Sequence, residues 1–212
     1  MEDGQEIAER IIASAMKLFN RASHYYVSLR EISMDADATL SLTIYYFKNK
    51  ENLYRIAFER TMTPLDDYFR KLDRYLDHNP RLSKSDVTEL FLDCVGTTFD
   101  VVYGDENNRN SYGKILLYEL AYPTSCHEEF HEKYFRPHFE LIAKLIMRID
   151  RITSYESAFQ RGITILGEMF SFMVQRELIA KTLRITEIGQ KEIERFRKMI
   201  LEHSMHMIAN AK

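Results

Sequence analysis

The residues His127-Glu128-Glu129-Phe130-His131 follow the order His-Glu-x-x-His. On a helix this pattern turns two imidazoles to one side with a carboxylate beside them, as zinc-assisted hydrolysis requires. A catalytic zinc also needs a third protein ligand and an open position. The residues on offer, Glu132, His138 and Glu156, form no downstream motif. Glu128, Glu129 and Glu132 equally suit the first turn of a helix, where carboxylates meet the positive end of the macrodipole. The expected reading is a solvated helix start holding no metal; a metal sensor or zinc hydrolase built on His127 and His131 is the alternative. His203 and His206, beside Met205 and Met207, suit a helix C-terminus, where imidazolium complements the negative pole. The chain has no Walker loop, no Gly-x-Ser-x-Gly and no dinucleotide fingerprint, so the expectation is a protein that is not an enzyme and carries no cofactor.

The elements that must position such groups are helical. Among 212 residues there are only 7 glycines and 4 prolines, too few for an ordinary β-sandwich or a long disordered linker. No run reaches the roughly 18 to 20 apolar residues of a membrane helix, and Met1 to Glu9 is acidic where a secretory signal is basic, so a cytoplasmic protein with no membrane partner is expected. Cys94 and Cys126 stand 32 positions apart with no Cys-x-x-Cys, and read as core thiols. The net charge of −3 excludes a generally basic surface, so any nucleic-acid site must come from arrangement.

Ala8, Ile11, Ile12, Ala15, Leu18, Phe19 and Ala22 recur at helical spacing and predict a helix over 6–21. Ser28-Leu29-Arg30-Glu31 places a hydroxyl three positions before a carboxylate, a capping box that opens a short second helix ending near Asp35. Thr39 and Asn49 are caps for a third and a fourth helix. Longer helices are predicted over 50–77, 85–103, 109–121, 127–149, 155–180 and 186–209, with kinks or breaks at Pro64 and Pro137. Separators fall at 77–80, 104–108, 122–125 and 152–154. The fold class is all-α.

A short helix, a tight turn and a second short helix, backed by an apolar first helix, form the helix-turn-helix plan. The residues Ile11 to Phe19, Val27-Ser28-Leu29-Arg30-Glu31-Ile32 and Thr43-Ile44-Tyr45-Tyr46-Phe47-Lys48-Asn49-Lys50-Glu51 resemble the N-terminal domain of the TetR family of transcriptional regulators. The chain departs from that pattern at Ser23 and Asp37, where the family usually has glycine; Asp tolerates the left-handed backbone such a turn needs. It departs again at Thr43-Ile44-Tyr45, one residue nearer to Phe47 than the family's triplet, and a one-residue slip rotates a helical side chain by about 100°.

The resemblance implies a DNA-binding domain over residues 1–49 and a regulatory and dimerisation domain over 50–212. In the reader, Ser28, Arg30, Tyr45, Lys48 and Lys50 are of types that hold phosphate oxygens, while Thr39, Leu40, Ser41 and Thr43 would meet base edges or thymine methyl groups; Phe47 is expected to pack inside. Six Lys or Arg against seven Asp or Glu from Met1 to Lys50 leave little electrostatic affinity per subunit, so two modules are needed. The resemblance implies that the last two long helices pair with their mates in a homodimer, with Leu166, Phe170, Met173, Phe196, Ile200 and Met207 at the interface.

Tyr118-Glu119-Leu120-Ala121-Tyr122-Pro123-Thr124 and Phe135-Arg136-Pro137-His138 resemble the CecR-type subgroup. That implies a small-molecule site among the middle helices, with Phe99, Tyr103, Tyr118, Glu119, Arg136, His138 and Met169 as candidate linings and a mostly apolar effector. The implied function is a ligand-responsive regulator, a repressor that binds a palindromic operator in double-stranded DNA and is released by its effector.

Overall fold

The computed structural model describes residues 4–104, 113–151 and 154–209; the predicted helix start at 109–112, the separator at 105–108 and Ile152-Thr153 lie outside them. The described residues contain helices and no strand.

The N-terminal part begins with α1 (Gly4–Arg21), which buries Ile11, Ile12, Ala15 and Phe19. A 3-10 turn, His24–Tyr26, leads to α2 (Leu29–Asp35), opened by the predicted capping box: the Ser28 amide donates to Glu31 at 2.8 Å and the Glu31 amide donates to the Ser28 hydroxyl at 3.2 Å. Asp37 turns the chain at φ 50°, in the left-handed region its short side chain allows. Thr39 then caps α3 (Leu40–Phe47), its hydroxyl accepting from the Leu42 amide.

The fourth helix, α4 (Lys50–His78), starts at the Asn49 cap and spans both parts of the molecule. Of the kink or break expected at Pro64, the break does not occur and α4 runs through it: this proline is exposed, and water can take the carbonyl that its missing amide leaves free. The body continues with α5 (Lys84–Tyr103) and α6 (Gly113–Ala121). A Cβ at Gly113 would lie 2.3 Å from the Val102 carbonyl, so only glycine lets α6 start this close to α5.

α7 (His127–Phe130) passes through a π turn, His131–Phe135, into α8 (Arg136–Ile149). The irregularity expected at Pro137 thus falls one turn earlier, where the Arg136 amide reaches back to the His131 carbonyl. The predicted 155–180 helix divides at Gln175 into α9 (Tyr155–Val174) and α10 (Arg176–Leu183), and α11 (Gln190–Ala209) closes the chain.

One apolar core runs from α1 to α11. Its aromatic layers include Phe58 stacked on Phe130 and Phe172 stacked on Phe196, each with ring centroids 4.0 Å apart. Arg197 of α11 clamps Asp100 of α5 through two bonds of 2.9 and 3.0 Å. No described helix is long and apolar enough to cross a membrane.

Candidate DNA-reading face, effector cavity and seam

Helix α3 divides cleanly into two sides. Thr43 and Phe47, one turn apart, face inward, and Thr43 is fully buried with its hydroxyl bonded to Ser33 at 2.8 Å and to the Thr39 carbonyl at 3.2 Å. Thr43 is therefore a pin between α2 and α3 and is removed from the base-reading set: the helical register that buries Phe47 buries the residue four positions earlier as well. The outward side carries Leu40, Ser41, Ile44, Tyr45 and Lys48, with Tyr45 69% exposed. Ile44 was not among the predicted contacts, although its four-residue spacing from Leu40 and Lys48 places it on their side.

Ser28 and Arg30 are exposed on α2; the Ser28 hydroxyl is already engaged with Glu31, and Thr39 is an exposed cap. Lys50, expected at phosphate, instead donates to the His24 carbonyl at 3.0 Å and ties α4 to the 3-10 turn. Lys48 is unusual: it ends α3 at φ 69°, ψ −59°, and the Asn49 amide closes a three-residue turn on the Phe47 carbonyl at 2.8 Å. A side chain in that conformation costs about 1–3 kcal/mol. The Lys48 ammonium meets the Tyr45 carbonyl at 3.3 Å and lies 5.8 Å above the Tyr45 ring.

Reader and body meet along a polar seam. Asn20 of α1 accepts the first free amides of α6, from Lys114 at 3.0 Å and Ile115 at 3.2 Å. Tyr118 donates to the Arg21 carbonyl at 3.4 Å, and Tyr25 donates to the Pro123 carbonyl at 2.8 Å. At its centre sits Glu119, a carboxylate with no solvent exposure. It accepts from the Tyr54 hydroxyl at 2.7 Å, the Thr124 amide at 3.2 Å, the Thr124 hydroxyl at 3.0 Å and His127 Nδ1 at 3.1 Å. Burial and then the Glu119 charge push the Tyr54 pKa upward, so it remains a donor. The His24 ring packs 4.8 Å from the Tyr54 ring, and neither of its nitrogens has a hydrogen-bond partner among the described residues. Burial, and then the Lys50 charge, lowers its pKa.

The body encloses a cavity that is small and more apolar than the predicted lining implied. It holds about 60 Å³ among Met62, Leu65 and Phe69 of α4, Val95 and Thr98 of α5, Leu116 and Leu120 of α6, Phe139 and Ile142 of α8, and Ile165 and Leu166 of α9. Of the predicted residues, His138 and Met169 line it. The other five lie elsewhere: Phe99 stacks on Tyr103 at 4.4 Å, Tyr103 donates to the Met169 carbonyl, Tyr118 and Glu119 belong to the seam, and Arg136 is exposed between Glu132 and Glu140. Aromatic residue type could not separate core from cavity, because both are apolar; the helical spacing of Val95 with Thr98 and of Ile165 with Met169 was the signal available.

The family described as the C-terminal domain of the HTH-type transcriptional dual regulator CecR matches residues 89–211, more than half of the chain. This chain belongs to the TetR family of transcriptional regulators, with a CecR-type C-terminal domain. Solved structures agree in fold. A TerR/AcrR-family regulator from Aquifex aeolicus VF5 matches with a TM-score of 0.56 at 18% identity, over 95% of this chain and 99% of that one. A TetR regulator from Legionella pneumophila matches with a TM-score of 0.58 at 17% identity, over 92% and 96%. The SmeT–triclosan complex matches with a TM-score of 0.64 at 18% identity, over 94% and 90%. No curated protein matches the sequence.

In this TetR-family regulator the hydrolase alternative falls, since the family is one of transcription regulators. The geometry agrees, because His127 turns inward to Glu119 while His131 pairs with Glu132. The cluster of possible ligands that does form, Glu128, His131 and Glu132, is exposed and leaves His127 out.

The predicted dimer residues are also redistributed. Phe170, Met173, Phe196 and Ile200 are buried within the chain, Met207 is half-buried, and Leu166 lines the cavity. The resemblance implies partner-facing stripes of which some residues must serve the core; in each helix the strongest apolar stripe is buried within the subunit. The apolar side chains that remain outward are Ile163 and Val174 of α9, Leu178 and Leu183 of α10, and Met199 and Met205 of α11. A groove lined by Phe172, Ile179 and Met199 runs between these helices.

Proposed function

We propose that this regulator binds a palindromic operator as a cytoplasmic homodimer and releases it, as a repressor does, when a mostly apolar molecule enters the body. The reader is residues 1–49 and the body residues 50–212. What carries the reading is the division of α3: Thr43 and Phe47 anchor it, and Leu40, Ser41, Ile44, Tyr45 and Lys48 stand outward together as a helix entering the major groove requires. Ile163 and Met199, exposed on α9 and α11, supply the apolar face through which two copies join about a two-fold axis. SmeT, a fold relative, was solved with triclosan, which supports an apolar effector here.

Electrophoretic mobility shift of the full chain on its own upstream DNA, at about 0.1 M salt, checks this. Specific binding with Kd at or below about 10 nM is expected, weakened in steps as salt rises. Binding no tighter than about 1 μM to every sequence would overturn it.

The strain at Lys48 yields a sharper expectation. Glycine adopts φ 69° freely, so Lys48→Gly is expected to raise thermal stability by about 1 kcal/mol while weakening operator binding and lowering the slope of log K against log salt by about 2, one phosphate contact being lost from each subunit of the dimer. Unchanged DNA affinity in a stabilised variant would show that Lys48 touches no phosphate.

A further inference from the structure

The apolar cavity shares a wall with a second, polar space. Outside it, between α4 and α8, a cleft of about 360 Å³ is lined by Asp66, Arg70, Asp73, Glu140 and Lys144, and Phe69 and His138 belong to both linings. Their rings lie 4.3 Å apart. The cavity, at about 60 Å³, is far below the roughly 300–1,000 Å³ of a small-molecule site, while the cleft, at about 360 Å³, lies at the lower end of that range and supplies the room the cavity lacks. Phe69 and His138, common to both linings, form the wall between them.

The cleft lining is acidic by one charge: the carboxylates Asp66, Asp73 and Glu140 stand against Arg70 and Lys144. Arg70 pairs with Asp66 at 2.7 Å, and Lys144 with Asp73 and Asp77 at 2.6 Å each. The other oxygen of Asp66 faces His138 Nε2 at 3.4 Å. Burial pushes the His138 pKa down to about 4 in spite of that carboxylate, so at neutral pH the ring is uncharged and offers an arriving anion no ion pair. A carboxylate at the mouth of an apolar cavity, next to a neutral imidazole, attracts a donor carrying positive charge, which there takes the place of the exposed Arg70 guanidinium that Asp66 now holds.

We propose that the effector is an apolar-bodied amine, its hydrocarbon part in the cavity past Phe69 and its ammonium group seated on Asp66 at the His138 wall. This rests on the effector-cavity reading above and adds the head-group chemistry and the route of entry.

Isothermal titration of the full chain at pH 7.5 with decylamine, decanol and decanoate tests it. Decylamine is expected to bind about tenfold or more tighter than decanoate, with decanol between them, as a charge-assisted bond implies. Asp66→Asn should bring decylamine to the level of decanol and leave decanol unchanged, and Val95→Phe, which fills the cavity, should abolish all three. Decanoate binding as tightly as decylamine, or an amine preference that survives Asp66→Asn, overturns the head-group assignment; the cavity reading then still stands if Val95→Phe blocks decanol. Failure of all three compounds to bind overturns both.

Discussion

Replacing Ile163 and Met199 together by aspartate is expected to give a folded monomer whose operator affinity falls about 100-fold or more, the loss that follows when two linked binding events become one. Both side chains are exposed in the single subunit, so the two substitutions together should change the subunit's own stability by no more than about 1 kcal/mol. In a dimer closed by α9 and α11 the same aspartates would be buried without partners and face their two-fold mates, which costs several kcal/mol. The reader has no electrostatic surplus to compensate, with acidic residues outnumbering basic ones over its first 50 positions. Sedimentation velocity and mobility shift on the same preparation measure both halves. A variant that stays dimeric places the interface elsewhere, and a monomer that keeps full affinity removes the need for two modules.

The second large effect is expected at the seam. Glu119→Ala leaves the buried Tyr54 hydroxyl, the Thr124 hydroxyl and His127 without their acceptor. At about 1–3 kcal/mol for the stranded buried Tyr54 hydroxyl and less for the half-buried Thr124 and His127, offset by the recovered cost of burying a carboxylate, the net loss is about 2–4 kcal/mol. For a chain of this length that lowers Tm by about 5–15 °C in a calorimetric scan. Tyr54→Phe, which removes one donor and keeps the ring, should cost about 1 kcal/mol, and the double variant Tyr54→Phe/Glu119→Ala should be less destabilised than the sum of the singles by at least about 0.5 kcal/mol, because the two share one bond. Strict additivity would show that the Tyr54 hydroxyl and Glu119 act independently. Asn20 and Tyr25 are bonded to α6 and the loop after it, so the N-terminal helices are tied to the rest of the chain at α6 as well as through α4.

The legible part of this molecule is local. Helix α1, the Ser28–Glu31 capping box, the Thr39 and Asn49 caps and the left-handed Asp37 turn all follow from side chains acting on backbone within four residues, and each is present in the folded chain. Within α3, the burial of Phe47 fixes the register, and the same periodicity would have placed Thr43 inside and Ile44 outside.

Helix periodicity by itself determined an all-α chain with an N-terminal helix-turn-helix, since spacing and capping are properties of neighbouring residues. It could not assign partners across long separations. That Glu119 answers His127 and Tyr54 instead of lining a cavity, that Phe170 and Phe196 serve their own core, and that Phe69 and His138 stand between two chambers were settled by how the helices pack. An apolar stripe records that a helix face leaves water, while the surface that covers it is chosen only when all the helices compete for the same core.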